Sequence, residues 1–107
     1  MAEKYETIIR RGTANTRARD FYDLYLLHKM YAEQIHMTDL KRAVALTSQK
    51  RRSEADMKQA DEILKEIQNS DIMRKLWEKY QRESLYAKDI SFDSVIECAN
   101  EIERLLR

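Results

Sequence analysis

Hydrophobic residues recur at intervals of three and four along almost the whole chain, and no long stretch alternates with period two. Ala2, Tyr5, Ile8 and Ile9 share one side of a first segment, which predicts an amphipathic helix ending near Arg11. Gly12 is the natural residue after that end, because glycine enters the left-handed region without steric cost. Residues 13–16 read as a short polar loop in which Asn15 or Thr16 offers a side-chain oxygen to cap the next helix. That helix, residues 17–34, carries Phe21, Leu24, Tyr25, His28, Tyr31 and Ala32, and Ile35, His36 and Met37 break its pattern. Thr38 starts a third, with Leu40, Ala43, Val44 and Thr47 on one face. After a polar and basic stretch at 49–52, Ser53 or Asp56 caps a fourth, carrying Met57, Ala60, Ile63, Leu64 and Ile67. Ser70 opens a fifth, with Ile72, Met73, Leu76, Trp77 and Tyr80. Residues 88–91 make the last break. Ser91 then opens the sixth, with Phe92, Val95, Ile96, Ala99, Ile102, Leu105 and Leu106 in register.

Each apolar stripe must be covered by another, so the pattern predicts an all-α bundle of about six amphipathic helices, one domain over residues 1–107. Composition agrees. The chain has no proline and one glycine, which argues against a β-sandwich, a phosphate-cradling glycine loop or a dinucleotide fold. Twenty Lys and Arg face 19 Asp and Glu, so a net charge of +1 exerts no global pull on nucleic acid or an anionic membrane. Any such attraction must come from local patches. Cys98 is alone, which excludes an internal disulfide and suits a reducing compartment. No apolar run has the length of a spanning helix, and the N-terminus lacks the basic-then-apolar order of a signal peptide. A cytoplasmic location without membrane contact is the expectation.

Candidate chemistry concentrates at the beginning. Lys4, Arg10, Arg11, Arg17, Arg19, Asp20 and Asp23 surround one predicted turn, and the two aspartates, three apart, lie on one helix face. Two antiparallel helices joined by a short loop would bring Lys4 toward the later part of the second helix, pointing its ammonium and a carboxylate at a shared hollow. Cations and carboxylates so placed suit a nucleoside triphosphate with its Mg²⁺. The same residues also read as ordinary ion pairs at a helix start, and both readings stay open on spacing alone.

Elsewhere the signals are weaker. His28 and His36, eight apart, have no Cys or acidic partner at ligand spacing, and His28 falls on an apolar stripe as a satisfied core residue. No metal site is expected in this chain. Cys98 reads as a small buried hydrophobe and Trp77 with Tyr80 as core, with base stacking as the alternative. Lys50, Arg51 and Arg52, with Lys41 and Arg42, form the densest basic patch: a solvated face, or an RNA contact.

The residues Ala2-Glu3-Lys4, then Ile8-Ile9-Arg10-Arg11-Gly12, then Asn15-Thr16-Arg17-Ala18-Arg19-Asp20-Phe21-Tyr22-Asp23-Leu24-Tyr25 resemble the second half of the AbiEii/AbiGii nucleotidyltransferase toxins of type IV toxin–antitoxin, phage-abortive systems. The likeness continues through Gln49-Lys50-Arg51-Arg52, Leu76-Trp77-Glu78-Lys79-Tyr80 and Tyr86-Ala87-Lys88-Asp89-Ile90-Ser91-Phe92. The resemblance implies a helical half that adds one lysine and one aspartate to a cleft whose other wall, an N-terminal core, supplies a Gly-Ser motif and an acidic pair holding Mg²⁺ and the triphosphate. By motif, Lys4 matches that lysine; Asp20 best matches the aspartate and Asp23 is the competing choice. This chain has no Gly-Ser dipeptide, so it is expected not to transfer nucleotides alone, whether as a truncated portion of a longer toxin, a stand-alone remnant or one partner of a split protein. The implied partners are the N-terminal core, an antitoxin, and tRNA or another RNA reached through Arg10, Arg11, Arg17, Arg19, Arg51 and Arg52. Two other functions compete: a helical interaction module whose open apolar face is covered by a partner or a second copy, and a small RNA-binding domain.

Overall fold

The computed structural model describes residues 1–31 and 36–106, without the side chain of Met37. Among these, seven α-helices follow one another: α1 (Ala2–Arg11), α2 (Ala18–Tyr31), α3 (Met37–Arg51), α4 (Glu54–Lys58), α5 (Ala60–Gln68), α6 (Asp71–Glu83) and α7 (Phe92–Leu106). Short 3₁₀ turns at Gly12–Ala14 and Leu85–Ala87 connect α1 to α2 and α6 to α7. No strand occurs among the described residues. None of the described helices is long and apolar enough to cross a membrane. The predicted positions Ala32, Gln34 and Ile35 lie outside the described residues.

The core forms where the stripes converge. α7 lies at its centre, packed on α2, α3 and α5, and α1 packs on α2, α3, α4 and α5. Tyr5, Ile8 and Ile9 of α1, Leu24 of α2, Leu64 and Ile67 of α5, Trp77 of α6 and Val95, Ile96, Ala99 and Ile102 of α7 are all buried there. Leu40 and Val44 carry α3 into the same cluster.

Local signals account for most helix ends. Gly12 ends α1 with φ +52°, its N–H bonded to the Ile8 carbonyl. The Ser70 hydroxyl accepts the Met73 N–H at 3.2 Å and starts α6, and Ser91 accepts the Ser94 N–H at 3.1 Å before α7. Asn15 is more than a cap. Its Oδ1 accepts the Arg17 N–H at 2.9 Å while its Nδ2 donates to Asp20, so it shapes the entry to α2 from a buried position.

Four expectations are corrected. The fourth predicted helix is two, broken at Gln59, because α4 packs on α1 and α3 whereas α5 packs on α7, α6 and the Gly12–Ala14 turn. Ser53 stands at the N-cap position of α4, but its hydroxyl donates to Glu6 instead of capping. Ile72 and Tyr31 are exposed, off their helices' buried faces, since Met73 and Trp77 define the inward side of α6 and Phe21, Leu24 and His28 that of α2. The first two helices do not form the simple hairpin expected: Lys4, in the first turn of α1, meets the first two turns of α2 rather than its later part. Six linking residues reach up to about 20 Å, about twice the rise from Lys4 to Arg11 along the helix, so the chain can return alongside α1 before α2 begins.

Candidate functional site

The Lys4 ammonium lies 3.1 Å from Asp23 Oδ2 and 3.5 Å from Asp20 Oδ1. Asp20 and Asp23, one turn apart on α2, present both carboxylates to the same face, and Lys4 reaches them from the first turn of α1. Arg17 Nε stands 3.9 Å from Asp20 Oδ2, and Arg19 Nε 3.8 Å from Asp23 Oδ1. The two carboxylates differ in setting. The Asp20 side chain is 3 % exposed and receives the Asn15 amide at 3.4 Å; that of Asp23 is 23 % exposed, and Lys4 is 36 % exposed. The group is a three-membered ion pair anchored from below by Asn15 and open to solvent at Lys4.

This donor set does not fit a divalent cation. A lysine ammonium already lies between the two carboxylates, and guanidinium groups approach their other oxygens, so the negative charge a Mg²⁺ would need is neutralised in place. The cations of the group that reach solvent are Lys4, in part, and Arg17 and Arg19. A groove of about 500 Å³ lies elsewhere, between α3, α4 and the end of α7, floored by Tyr5 and Val44.

A family model, nucleotidyl transferase AbiEii toxin of type IV toxin–antitoxin systems, matches residues 1–98. The chain belongs to the AbiEii family. No curated protein and no solved structure matches it. The matched span contains the whole Lys4–Asp20–Asp23 cluster of this AbiEii chain.

The other candidate cations of the AbiEii chain differ in setting. Arg10 and Arg51 converge on Glu6, which is fully buried: Arg10 Nε donates at 2.7 Å, Arg51 Nη1 at 3.1 Å, and Ser53 Oγ at 3.3 Å. Arg51 also donates to the Thr7 hydroxyl at 3.0 Å. Arg51 therefore ties α3 to α1, while Arg10 pairs with Glu6 from within α1. Arg11 is half-buried in the last turn of α1. Arg17, Arg19 and Arg52 are the outward ones, with the Arg17 and Arg19 side chains 61 % and 77 % exposed, and Arg52 ending α3 in a left-handed conformation. Lys41 faces the groove, while Arg42 and Lys50 lie exposed on α3.

Sequence reasoning missed Glu6 and Asn15. Glu6 and Arg10 stand four apart on one helix, a visible pair, but Arg51 and Ser53 come from 45 and 47 residues away. Asn15 was legible as a cap, not as a partner of Asp20. His28 is buried as expected and its Nε2 lies 3.0 Å from Glu101, while its Nδ1 finds no hydrogen-bond partner among the described residues. Cys98 is buried, and that burial pushes its thiol above the ordinary value. The Trp77 indole donates to the Ile90 carbonyl at 2.9 Å from within the core. The apolar residues of α1 are covered; among the exposed large hydrophobics, Leu26, Met30 and Tyr31 lie on α2.

Proposed function

We infer that this chain is the helical part of an AbiEii-type nucleotidyltransferase and contributes Lys4 and Asp20 to a cleft completed by a nucleotidyltransferase core. Support comes first from the family match over residues 1–98. The observation that carries the reading is the placement of the Lys4 ammonium within 3.5 Å of both candidate aspartates while it remains partly open to solvent. In the assembled enzyme Lys4 exchanges part of its carboxylate contact for a phosphate oxygen of the nucleoside triphosphate. Charge-assisted hydrogen bonds of this kind are the strong ones in a shielded cleft. Asp20, held by Asn15, sets the position of Lys4 and orients the acceptor or a water; Asp23, more exposed, is the alternative for that role. The Mg²⁺ of such a reaction supplies charge neutralisation at the phosphates and belongs to the core, since the carboxylates here are already paired.

Membership in a toxin–antitoxin family supports an antitoxin as a partner. An RNA acceptor, tRNA among the candidates, would meet Arg17, Arg19 and Arg52, the cations whose exposure favours contact with a phosphate backbone. The test is reconstitution. The chain is joined to a nucleotidyltransferase core of the same family, and transfer of labelled nucleotide to RNA is measured. The wild-type sequence is expected to support transfer, Lys4→Ala and Asp20→Ala to lose it by two orders of magnitude or more, and the unjoined chain to show none. Undiminished transfer with Lys4→Ala overturns the assignment.

A further inference from the structure

Three tyrosines meet beside the Lys4 cluster. The Tyr22 ring on α2 has its centroid 4.8 Å from that of Tyr86 and 6.1 Å from that of Tyr80. The hydroxyls of Tyr80 and Tyr86 share a hydrogen bond of 2.8 Å. Tyr86 lies in the turn between α6 and α7 and is 59 % exposed. That turn is held. The Gln81 amide donates to the carbonyls of Ala87, Lys88 and Ile90, and the Trp77 indole donates to Ile90 as well. An exposed aromatic ring is thus presented by a fixed backbone rather than by a loose loop.

The ring also has charged neighbours. Arg19, Tyr22 and Asp23 share a face of α2, three and four residues apart. Hydrogen bonding to the Ser84 and Tyr80 side chains holds the Tyr86 phenol below its ordinary value. Asp23 in turn touches Lys4. An exposed aromatic ring therefore packs on Tyr22, whose neighbour Asp23 pairs with both Arg19 and Lys4. A nucleotide joins the two matching chemistries, a flat base and an anionic tail.

We propose that Tyr86, backed by Tyr22 and Tyr80, is a stacking platform for the base of a nucleoside triphosphate whose phosphates lie toward Arg19 and Lys4. The proposal rests on the reading of Lys4 as a phosphate contact. Stacking tolerates any base, because every base offers a π-face, so the platform provides affinity for nucleotides as a class. It explains why a tyrosine is kept exposed in a pinned turn next to cations.

Calorimetric titration of the full chain with each ribonucleoside triphosphate, and separately with inorganic tripolyphosphate, tests it. At least one nucleotide is expected to bind about ten-fold or more tightly than tripolyphosphate. Tyr86→Ala is expected to erase that preference while leaving tripolyphosphate binding as it was; Tyr86→Phe, which keeps the ring, is expected to retain it. Circular dichroism confirms that both variants fold. Equal affinity for nucleotides and tripolyphosphate overturns the platform, as does a preference that survives Tyr86→Ala, or binding of a short single-stranded RNA without binding of nucleotides. If tripolyphosphate binding falls with Lys4→Met but Tyr86→Ala changes nothing, the platform is lost and the phosphate reading stands. If neither probe binds, the platform is overturned, and the reconstitution experiment judges Lys4 separately.

Discussion

Arg51 Nη1 stands 3.1 Å from Oε2 of Glu6, a carboxylate with no exposed surface, across 45 residues of chain. This contact joins the end of α3 to the middle of α1, and Arg10 completes the neutralisation from within α1 itself. A buried charge left without partners is far more costly than the pair is worth. Arg51→Ala, which leaves Arg10 in place, is expected to lower the unfolding free energy by about 1–3 kcal/mol, the loss of a charged hydrogen bond to a buried acceptor. The double variant Arg10→Ala/Arg51→Ala is expected to lose about 3–5 kcal/mol, because Glu6 is then buried and unpaired. Urea denaturation of both variants measures the difference. A double variant no worse than the single one would show that water reaches Glu6.

Asn15 carries the second prediction. It is buried, bonded on one side to the Arg17 N–H and on the other to Asp20. Asn15→Ala is expected to cost about 1–3 kcal/mol through the lost contacts to buried polar groups. Asn15→Asp keeps the acceptor for Arg17 but sets a second carboxylate against Asp20. It is expected to be worse than alanine at neutral pH and to recover toward acid pH. Thermal melts at two pH values separate the two variants.

Tyr5 makes stability depend on alkaline pH. Burial raises its phenol well above the ordinary value of 10.0, and the nearby Glu103 and Asp61 carboxylates add to the effect. In the unfolded chain Tyr5 ionises near the ordinary value, so above it the unfolded state binds fewer protons than the folded one. The stabilisation is therefore complete below pH 10 and is lost as pH rises beyond it, at about 1.4 kcal/mol per pH unit. Denaturation between pH 9 and pH 11 should show this slope, and Tyr5→Phe should reduce it.

Arg52 ends α3 with φ +56° and ψ +42°, a left-handed conformation that side chains other than glycine adopt at a cost. Arg52→Gly is expected to gain about 0.5–1 kcal/mol, the relieved strain exceeding the backbone freedom that glycine gives up on folding. Arg52→Ala, which keeps the Cβ, is expected to gain nothing. Differential scanning calorimetry of the pair decides it, and equal melting temperatures for all three proteins would refute the strain argument.

Periodicity alone was enough to read an all-helical chain, because three- and four-residue spacing of apolar side chains has one economical solution. Gly12, Ser70 and Ser91 were legible as helix ends for a local reason: the groups they satisfy lie within a few residues of them. Lys4, Asp20 and Asp23 were legible as candidates through the family resemblance, and their spacing on α2 already put both aspartates on one face.

What the chain settled by itself was thus everything carried by neighbours in sequence: helix content, most boundaries and the identity of the charged residues. Tertiary packing decided the break at Gln59, the exposure of Ile72, the burial of Glu6 beneath Arg51 and the return of the chain that brings Lys4 to the start of α2. These depend on which helix faces meet across many residues. That choice is made by the summed burial of all the stripes together and leaves no mark at any single position.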